Sequence, residues 1–272
     1  MSIKFICTDI DGTLTGNDHV LTEKNIEAIK SLKNMGIGFC LQSGRLPCSL
    51  REITDQLKDC GYEDTYSICS NGSLIIDTNY HIIYEKYLSK NNLNKCLDYF
   101  KLLKNVSYAL ANYNHYYVIG EDLFNNKNKY RSTVNVQIND EEARKLVEKE
   151  EISKFLFIDN DLDELEEVIK KIPLLTNGEV IGVKSSYNSL EVIPNGVSKG
   201  NGLLEFCKYK NIDIKECLVV GDNYNDESMI DIAGYKACPS NAVNDIKKKC
   251  DYVSKYDCFN SAIADVIEHF TK

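Results

Sequence analysis

The amino-terminal part of the chain alternates between short apolar runs and amphipathic segments, a pattern typical of buried parallel strands connected by helices. One amphipathic segment has Thr22 as its predicted N-cap and stops at Gly36, and the next begins at Pro47. The strands predicted in this part are the run that ends at Asp9, the runs Ile37–Leu41 and Tyr66–Cys69, and a hairpin of Leu74–Ile76 with His81–Tyr84.

The pattern changes between about Glu85 and Ser189, where helices and hairpin-like strands mix and few parallel-sheet signals occur. Such a mixture predicts a separate α+β module. The predicted helices are Leu93–Leu103, a segment after Asp140, and Asp161–Ile172. The predicted strands are Ser107–Ala111, His115–Ile119, Lys154–Ile158, Glu179–Lys184 and Leu190–Ile193, with a loop rich in Asn and Lys at Asn125–Lys129.

The alternation of strands and helices resumes with a helix that begins at Lys199. The elements predicted after it are the strands Cys217–Val220, Tyr235–Cys238 and Asp251–Val253 and the helices Met229–Ile232, Val243–Lys249 and Ala262–Phe270. We therefore expect an α/β protein with a doubly wound parallel sheet. Residues 1–84 and 190–272 should form this core, and residues 85–189 should form an inserted domain.

Composition narrows the classes of partner. The chain has 272 residues, 43% of them hydrophobic, and a net charge of −9. This charge argues against a nucleic-acid or anionic-membrane partner. No apolar stretch has the length of a membrane span and no signal peptide is recognisable, so we expect a cytoplasmic protein, a monomer or weak homodimer, with reduced thiols among its 11 cysteines.

Two carboxylates follow the first predicted strand. Asp9 and Asp11 are two residues apart and precede Gly12, at a strand end that faces the ligand-binding edge of an open α/β sheet. Buried acids at this position are costly unless a cation or a substrate uses them. A strand-end turn with an Asp cap is the alternative interpretation, and this motif alone does not decide between the two.

Further motifs in the chain favour the functional interpretation of Asp9 and Asp11, because together they resemble those of a known family. The chain resembles the haloacid dehalogenase (HAD) superfamily, and in particular its Cof-type (class IIB) phosphatases. Four motifs carry the resemblance in order, namely Asp9–Leu14, Gln42–Arg45, Ser198–Gly200 and Gly221–Asp226, and Asn71–Gly72 and Pro239–Ala242 match similar pairs in the Cof-type branch.

The resemblance implies a Rossmann-like HAD core with an inserted C2-type cap at residues 85–189. It implies that Asp9 is the nucleophile and that Asp11 is the acid and base. Mg²⁺ would be bound by the Asp9 and Asp222 side chains and the Asp11 backbone carbonyl, with Asp226 in the first or second shell. Thr13 would fix the loop by hydrogen bonding.

The same resemblance assigns phosphate binding to Ser43, Gly44, Lys199 and Asn225. Candidate substrate residues are Arg45, Asn71, Gly72, Ser186 and Tyr187. Arg45 has two open interpretations, a contact with the leaving group or a pair with a surface acid. An Asn-Gly turn is the alternative for Asn71. The four histidines do not cluster with the motifs and are expected to lie on the surface or in loops.

The implied activity is a Mg²⁺-dependent phosphatase that acts on small phosphorylated metabolites through an aspartyl phosphate, with sugar phosphates as the favoured class. A phosphomannomutase-like phosphomutase is the first alternative, and extra basic residues in the cap, of which Lys154 and Lys184 are candidates, would favour it. Sugar-phosphate phosphatases of the trehalose or sucrose type are close alternatives. A non-catalytic phosphometabolite-binding protein and a haloalkanoic acid dehalogenase rank lower. The cap is expected to be mobile and to select the substrate.

Overall fold

The computed structural model describes residues 2–16, 19–103, 107–120, 134–158, 162–186 and 189–272. The chain divides into two compact units. The larger unit contains Met1–Arg45, Leu50–Glu85 and Ser198–Lys272, and the smaller unit contains Leu46–Ser49 and Lys86–Val197.

The strands, in chain order, are β1 (Phe5–Asp9), β2 (Gly38–Gln42), β3 (Thr65–Cys69), β4 (Leu74–Ile76), β5 (Ile82–Glu85), β6 (Ser107–Ala111), β7 (His115–Ile119), β8 (Val134–Gln137), β9 (Lys154–Ile158), β10 (Val180–Ser186), β11 (Ser189–Pro194), β12 (Cys217–Val220), β13 (Tyr235–Cys238) and β14 (Tyr252–Val253). The helices are α1 (Glu23–Met35), α2 (Pro47–Asp59), α3 (Lys90–Phe100), α4 (Asp140–Lys149), α5 (Leu162–Leu175), α6 (Lys199–Lys210), α7 (Glu227–Ile230), α8 (Asn244–Lys249) and α9 (Ala262–Thr271).

The larger unit is built on a sheet with the strand order β14-β13-β12-β1-β2-β3-β4-β5. The strands from β14 to β3 run parallel, and β4 and β5 add an antiparallel hairpin at one edge. β1 lies between β12 and β2, so the strand order reverses at β1, and in open α/β sheets ligands bind at such a point. The prediction of a Rossmann-like doubly wound parallel sheet is confirmed.

Helices cover both faces of this sheet. On one face, Leu203 and Phe206 of α6 pack in a buried cluster with Phe5 of β1 and Val219 of β12. α1 packs against α9. The predicted limits of α1 are confirmed, because the Thr22 side chain accepts from Asn25 N–H at 3.3 Å and Gly36 ends the helix at φ 69°.

The smaller unit is a sheet of the order β10-β11-β9-β6-β7-β8. Its strand pairs are antiparallel except for the parallel pair of β7 and β8. Phe155 and Phe157 of β9 point into a core shared with Phe100 of α3, Val147 of α4 and Val168 of α5. The intervening side chain, Leu156, packs in a separate cluster with Ala109 and Val118. The sheet therefore has helices on one of its faces.

The structure differs from the predictions for this insertion in its boundary and in one strand. The boundary at residue 190 is placed too early, because β11 pairs with β9 and β10 in the smaller sheet, and the smaller unit continues to Val197. β8 was not predicted. The expected loop Asn125–Lys129 and the expected helix start at Asp161 fall outside the described residues.

The cysteine side chains agree with the expectation of reduced thiols. All eleven cysteines are free thiols, and most of them are buried. Within the ranges given above, no helix has both the length and the hydropathy that crossing a bilayer would require.

Candidate active site

The predicted motifs meet at the carboxyl edge of the larger sheet. β1 ends at Asp9, and its parallel neighbour β12 pairs with it in a register that sets Thr8 beside Val220. Asp222 follows two residues after Val220, so both acids leave the sheet on the same side. One carboxylate oxygen from each of Asp9, Asp222 and Asp226 lies within 4.8 Å of the other two.

Lys199 contacts two of these three acids. It is the first residue of α6, after the N-cap Ser198, whose Oγ accepts from Asn201 N–H at 3.1 Å. Its Nζ lies 2.5 Å from Asp9 Oδ1 and also donates to Asp226 Oδ1. With its side chain only 1% exposed, Lys199 is not the solvated surface lysine that a single Lys usually is.

The electrostatics of this cluster leave negative charge uncompensated, because three carboxylates share one ammonium group. Burial raises the pKa of Asp9 well above its usual range, and Asp226 and Asp222 add to the effect, although Lys199 opposes it. Burial lowers the pKa of Lys199, but Asp226 and Asp9 outweigh it, so this pKa is raised. The donor set therefore fits a hard divalent cation such as Mg²⁺, which takes carboxylate oxygens.

Asp222 is held in place by the first motif. Thr13 donates from Oγ1 to Asp222 Oδ1 at 2.7 Å, the hydrogen-bonding role expected for it. Gly12 has φ +89°, and a Cβ there would lie 2.7 Å from Asp222 Oδ2. Glycine is thus required both by the backbone conformation and by the space that the carboxylate occupies. Burial raises the pKa of Asp222 to about 6, against the lowering effect of the Thr13 hydroxyl.

Asp226 organises the loop that carries Asp222. It is fully buried, and its Oδ2 accepts from the backbone N–H groups of Asp222 at 2.9 Å and Asn223 at 3.1 Å. Its Oδ1 accepts from Lys199. Both of its carboxylate oxygens therefore accept hydrogen bonds within the site. Asn225, the residue before it, is exposed.

Asp11 pairs with Arg45, an arrangement that the sequence did not predict. Arg45 donates from Nε to Asp11 Oδ2 at 2.8 Å and from a terminal nitrogen to Asp11 Oδ1 at 2.6 Å. The partner is thus an acid of the first motif and not a surface acid. His19 also lies here, with Nδ1 at 2.9 Å from Arg45 and 3.3 Å from Asp11 Oδ1. The expectation that no histidine clusters with the motifs is therefore wrong for His19.

The second motif and the turn after β3 lie against each other. Ser43 N–H donates to the Ile68 carbonyl at 2.9 Å, and Asn71 N–H donates to the Ser43 carbonyl at 3.0 Å. The Asn71 amide lies next to Gly44, since a Cβ on Gly44 would be 3.1 Å from Asn71 Oδ1. This geometry brings Ser43, Gly44 and Asn71 together. Asn71 also adopts φ 56°, so the turn interpretation holds for its backbone.

Gly72 has a packing role of its own. At φ +102° it lies so close to the start of α6 that a Cβ would be 2.3 Å from the Ser198 carbonyl oxygen. In return, a Cβ on Gly202 would be 2.7 Å from Gly72 Cα. Two glycines therefore let α6, and with it Lys199, approach the turn after β3.

Two further residues join the motifs. Gln42, fully buried at the end of β2, donates from Nε2 to the Lys199 carbonyl and so links the second motif to the third. Asn241 donates from Nδ2 to the Gly12 carbonyl at 2.8 Å and accepts from Cys258 N–H at 2.9 Å. The sequence pointed to both positions only as parts of motifs. Tyr187 lies outside the described residues, and Ser186 is described only as the backbone end of β10, so both remain predictions.

A sequence model of haloacid dehalogenase-like hydrolases matches residues 6–267. The chain belongs to this family. A putative phosphatase of Buchnera aphidicola subsp. Baizongia pistaciae is 32% identical to this hydrolase over 241 residues, which cover 86% of this chain and 84% of the relative. The 5-amino-6-(5-phospho-D-ribitylamino)uracil phosphatase YcsE of Bacillus subtilis is 26% identical to this hydrolase over 270 residues. The match covers 99% of this chain and 96% of the relative.

The fold of this hydrolase is also found among solved structures. A haloacid dehalogenase-like hydrolase from B. subtilis matches with a TM-score of 0.84 at 22% identity, over 98% of this chain and 99% of the other. At this identity the likeness concerns the fold. The predicted superfamily, its Cof-type branch and the enzyme class of phosphatase are confirmed.

Proposed function

We propose that this hydrolase is a Mg²⁺-dependent phosphatase of small phosphorylated metabolites and that Asp9 is its nucleophile. The observation that carries the proposal is the position of Asp9, buried at the end of β1 with the Lys199 ammonium group 2.5 Å from one of its oxygens. A carboxylate beside a fixed positive charge can approach a phosphate whose oxygens would otherwise repel it.

In the first step, an Asp9 oxygen attacks phosphorus and the bond to the leaving-group oxygen breaks. Asp11 donates a proton to that oxygen, so the leaving group departs as a neutral alcohol. The product on the enzyme is an aspartyl phosphate at Asp9. Lys199 neutralises charge on the phosphoryl oxygens throughout this transfer.

In the second step, water attacks the phosphorus of the aspartyl phosphate. Asp11, now a carboxylate, accepts a proton from this water, and the bond between phosphorus and Asp9 breaks. Inorganic phosphate leaves and both carboxyl groups return to their initial states. The same residue therefore acts first as acid and then as base, which divides one difficult displacement into two easier ones.

The side chains of Asp9 and Asp222 and the backbone carbonyl of Asp11 would hold Mg²⁺, with Asp226 behind them. When bound, Mg²⁺ supplies the positive charge that offsets the repulsion between carboxylates and phosphate. The uncompensated charge of the three acids supports this assignment. Ser43 and the Gly44 N–H would bind the phosphoryl oxygens, with Asn225 as a further phosphate ligand and Asn71 lining the pocket.

The smaller unit would be the cap that selects the substrate. Its sequence interrupts the core between the second and third motifs, and it contains none of the acids of the cluster. We favour phosphates of sugars or of sugar-derived chains. The name of the B. subtilis relative gives some support, because its substrate carries the phosphate on a ribityl chain.

The ion pairs of two lysines of the smaller unit argue against the phosphomutase alternative. A mutase must rebind a bisphosphate, so its cap would need basic groups for a second phosphate. Lys154 is buried in an ion pair with Glu191 at 2.7 Å, and Lys184 pairs with Glu166 at 3.2 Å. The two lysines considered for this role thus have acidic partners within the cap.

A panel of phosphorylated metabolites tests the proposal. Phosphate release should require Mg²⁺, be partly supported by Mn²⁺ or Co²⁺, and be inhibited by Ca²⁺, which prefers more ligands and longer bonds. Reduction with borohydride during turnover should convert Asp9 to homoserine, which mass spectrometry detects. Full activity after exhaustive chelation would remove the metal from the proposal.

A further inference from the structure

Gly12 combines a crowded position with a flexible backbone. A Cβ at this position would lie 2.7 Å from Asp222 Oδ2, so a larger residue does not fit beside that carboxylate. Glycine, however, has a wider choice of backbone conformations than any other residue, and its φ here is +89°. The loop after β1 therefore needs other groups to hold Gly12 in one conformation.

Hydrogen bonds hold both peptide groups of Gly12. Its N–H donates to the Thr15 carbonyl at 2.9 Å, and the N–H of Thr13 donates to the Ile10 carbonyl at 3.3 Å. Both of these bonds lie within the loop. A further bond comes from a distant part of the chain, because the Gly12 carbonyl accepts from Asn241 Nδ2 at 2.8 Å across 229 positions. Asn241 thus ties this flexible residue to a separate element of the larger unit.

The orientation of these peptide groups determines where two groups beside Asp222 lie. In a planar trans peptide the carbonyl and the N–H point in opposite directions, so the bond from Gly12 N–H to Thr15 turns the Asp11 carbonyl the other way. The next peptide group leads into Thr13, whose Oγ1 donates to Asp222 Oδ1 at 2.7 Å. A rotation of the peptide groups of Gly12 would therefore displace the Asp11 carbonyl and the hydroxyl that holds Asp222.

Asn241 belongs to the turn at residues 239–243, which also holds the fourth motif. Val243 N–H donates to the Asp222 carbonyl at 2.9 Å. The side chain of Asn241 reaches the first motif from the same turn. One short segment therefore bonds to a backbone carbonyl in each of the two loops that bear the acids.

The Asn241 side chain is itself held by the segment before α9. Its Oδ1 accepts from Cys258 N–H at 2.9 Å. Since an N–H needs an acceptor and the Gly12 carbonyl needs a donor, these two partners together determine the orientation of the amide. The neighbouring Ser240 N–H donates to the Tyr256 carbonyl at 2.9 Å, so the backbone of the turn is fixed as well.

We propose that Asn241 is a positioning residue for the divalent-cation site, because it fixes the peptide groups of Gly12 while its turn holds the loop of Asp222. The inference rests on the proposed function, in which the Asp11 carbonyl and the Asp222 side chain bind Mg²⁺. Asn241 acts through Gly12 and has no contact with the cation in this role. It removes the conformational freedom that glycine brings, so the ligand groups are already arranged when the cation binds.

Isothermal titration calorimetry with MgCl₂, in the absence of substrate, tests this role. Asn241→Ala removes the bond to Gly12 and should raise the Mg²⁺ dissociation constant by about 10- to 100-fold. Phosphate release at saturating Mg²⁺ should recover most of the wild-type rate. Asn260→Ala is the matched control, because Asn260 is exposed and bonds to Asp257 Oδ1 at 2.8 Å, within its own turn. Its Mg²⁺ dissociation constant should equal that of the wild-type protein.

Asn241→Asp separates positioning from the effect of charge. The carboxylate can still accept from Cys258 N–H, but it places an oxygen against the Gly12 carbonyl oxygen. Its negative charge alone would strengthen the binding of a cation, whereas the loss of the anchor weakens it, so the dissociation constant should rise here too. Because Asn241 is exposed, both variants should fold, which thermal unfolding without metal checks. Asn241→Asp carries the test if Asn241→Ala does not fold.

An unchanged Mg²⁺ dissociation constant in folded Asn241→Ala, or tighter binding in Asn241→Asp, would overturn the positioning role. A lower melting temperature by itself would not support it, since a purely structural role predicts the same. Failure of the proposed function looks different. In that case the wild-type protein itself would bind no Mg²⁺ in the calorimeter, or it would release phosphate at its full rate after chelation.

Discussion

Thr13 donates from Oγ1 to Oδ1 of Asp222 at 2.7 Å, although 209 positions separate the two residues in the chain. This bond leaves Asp222 with one oxygen already oriented before any cation arrives. Residues that orient a metal ligand in this way commonly change metal affinity when they are replaced.

Thr13→Val should therefore raise the Mg²⁺ concentration needed for half-maximal activity by about 10- to 100-fold, because valine has the same shape but no hydroxyl. Activity at saturating Mg²⁺ should recover most of the wild-type rate. Titration of initial rates with Mg²⁺ measures the effect. Thr54→Val is the control, because the buried Thr54 bonds to carbonyls of its own helix α2 and to the Tyr80 hydroxyl, away from the acids. An unchanged Mg²⁺ dependence would mean that Asp222 does not bind the metal.

Asp9→Asn should abolish phosphate release from every substrate while the fold remains intact. The amide is nearly isosteric with the carboxylate, but it is a poor nucleophile and a weaker metal ligand. Steady-state rates and a circular dichroism spectrum are the measurements. Asp98→Asn, which removes a charge from an exposed ion pair with Arg144, should leave the rates unchanged. Appreciable turnover by folded Asp9→Asn would show that another group attacks phosphorus.

Lys199→Met should lower kcat by about 10²- to 10³-fold and should also lower the melting temperature in the absence of metal. Without the ammonium group, Asp9 and Asp226 lose the cation that both contact in a buried place. Mg²⁺ should then raise the melting temperature of the variant more than that of the wild-type protein. Thermal unfolding with and without MgCl₂, with NaCl at equal ionic strength as the control, measures the difference. Equal shifts in both proteins would contradict the arrangement.

Asp265 should make stability depend on acid pH. Burial raises its pKa, but donors from Tyr252, Ser254 and Lys255 N–H outweigh burial, so the pKa is lowered. A lowered folded-state pKa contributes stability above the unfolded value of about 4, and this contribution is lost as pH falls through the folded value. Asp265→Asn should thus be less stable than wild type at pH 7, and the gap should narrow below about pH 4. A gap that is constant from pH 7 to pH 3 in urea unfolding would contradict this.

If the smaller unit selects the substrate as proposed, the loop between β6 and β7 that contains Tyr113 should affect substrate choice. Asn112 Oδ1 accepts from Asn114 N–H at 2.8 Å and from His115 N–H at 2.7 Å, which fixes the turn that presents Tyr113 between them. Tyr113→Ala should change the ratio of kcat/KM between two sugar phosphates by about tenfold. The kcat/KM for p-nitrophenyl phosphate should stay unchanged. Losses of equal proportion on all three esters would contradict a selective role.

The sequence predicted the elements and the edge of the sheet at which the acids meet, because short apolar runs and motifs at strand ends are local signals. It did not predict β8 (Val134–Gln137). This strand has only four residues, lies partly exposed and contains no continuous apolar run. The predicted boundary at residue 190 separates β11 from the smaller sheet, because the antiparallel register of β11 with β9 is not encoded locally.

The side-chain partners were less accessible to sequence analysis. Nothing in the spacing of Asp11, His19 and Arg45 shows that they meet, because their contacts depend on the path of the loops after β1 and β2. The one available signal was that Arg45 belongs to the second motif. Gln42 belongs to the same motif, but its bond to the Lys199 carbonyl is visible only in the structure.

The close approach of Gly72 and Gly202 has a consequence for any attempt to redesign this hydrolase. A side chain at either position would push α6 outward and carry the Lys199 ammonium group away from Asp9, while leaving the hydrophobic contacts of the helix largely able to adjust. Variants at these glycines would thus be expressed and folded, yet they would show no activity in a screen. Libraries aimed at new substrates would gain by holding both positions fixed and placing diversity in the smaller unit.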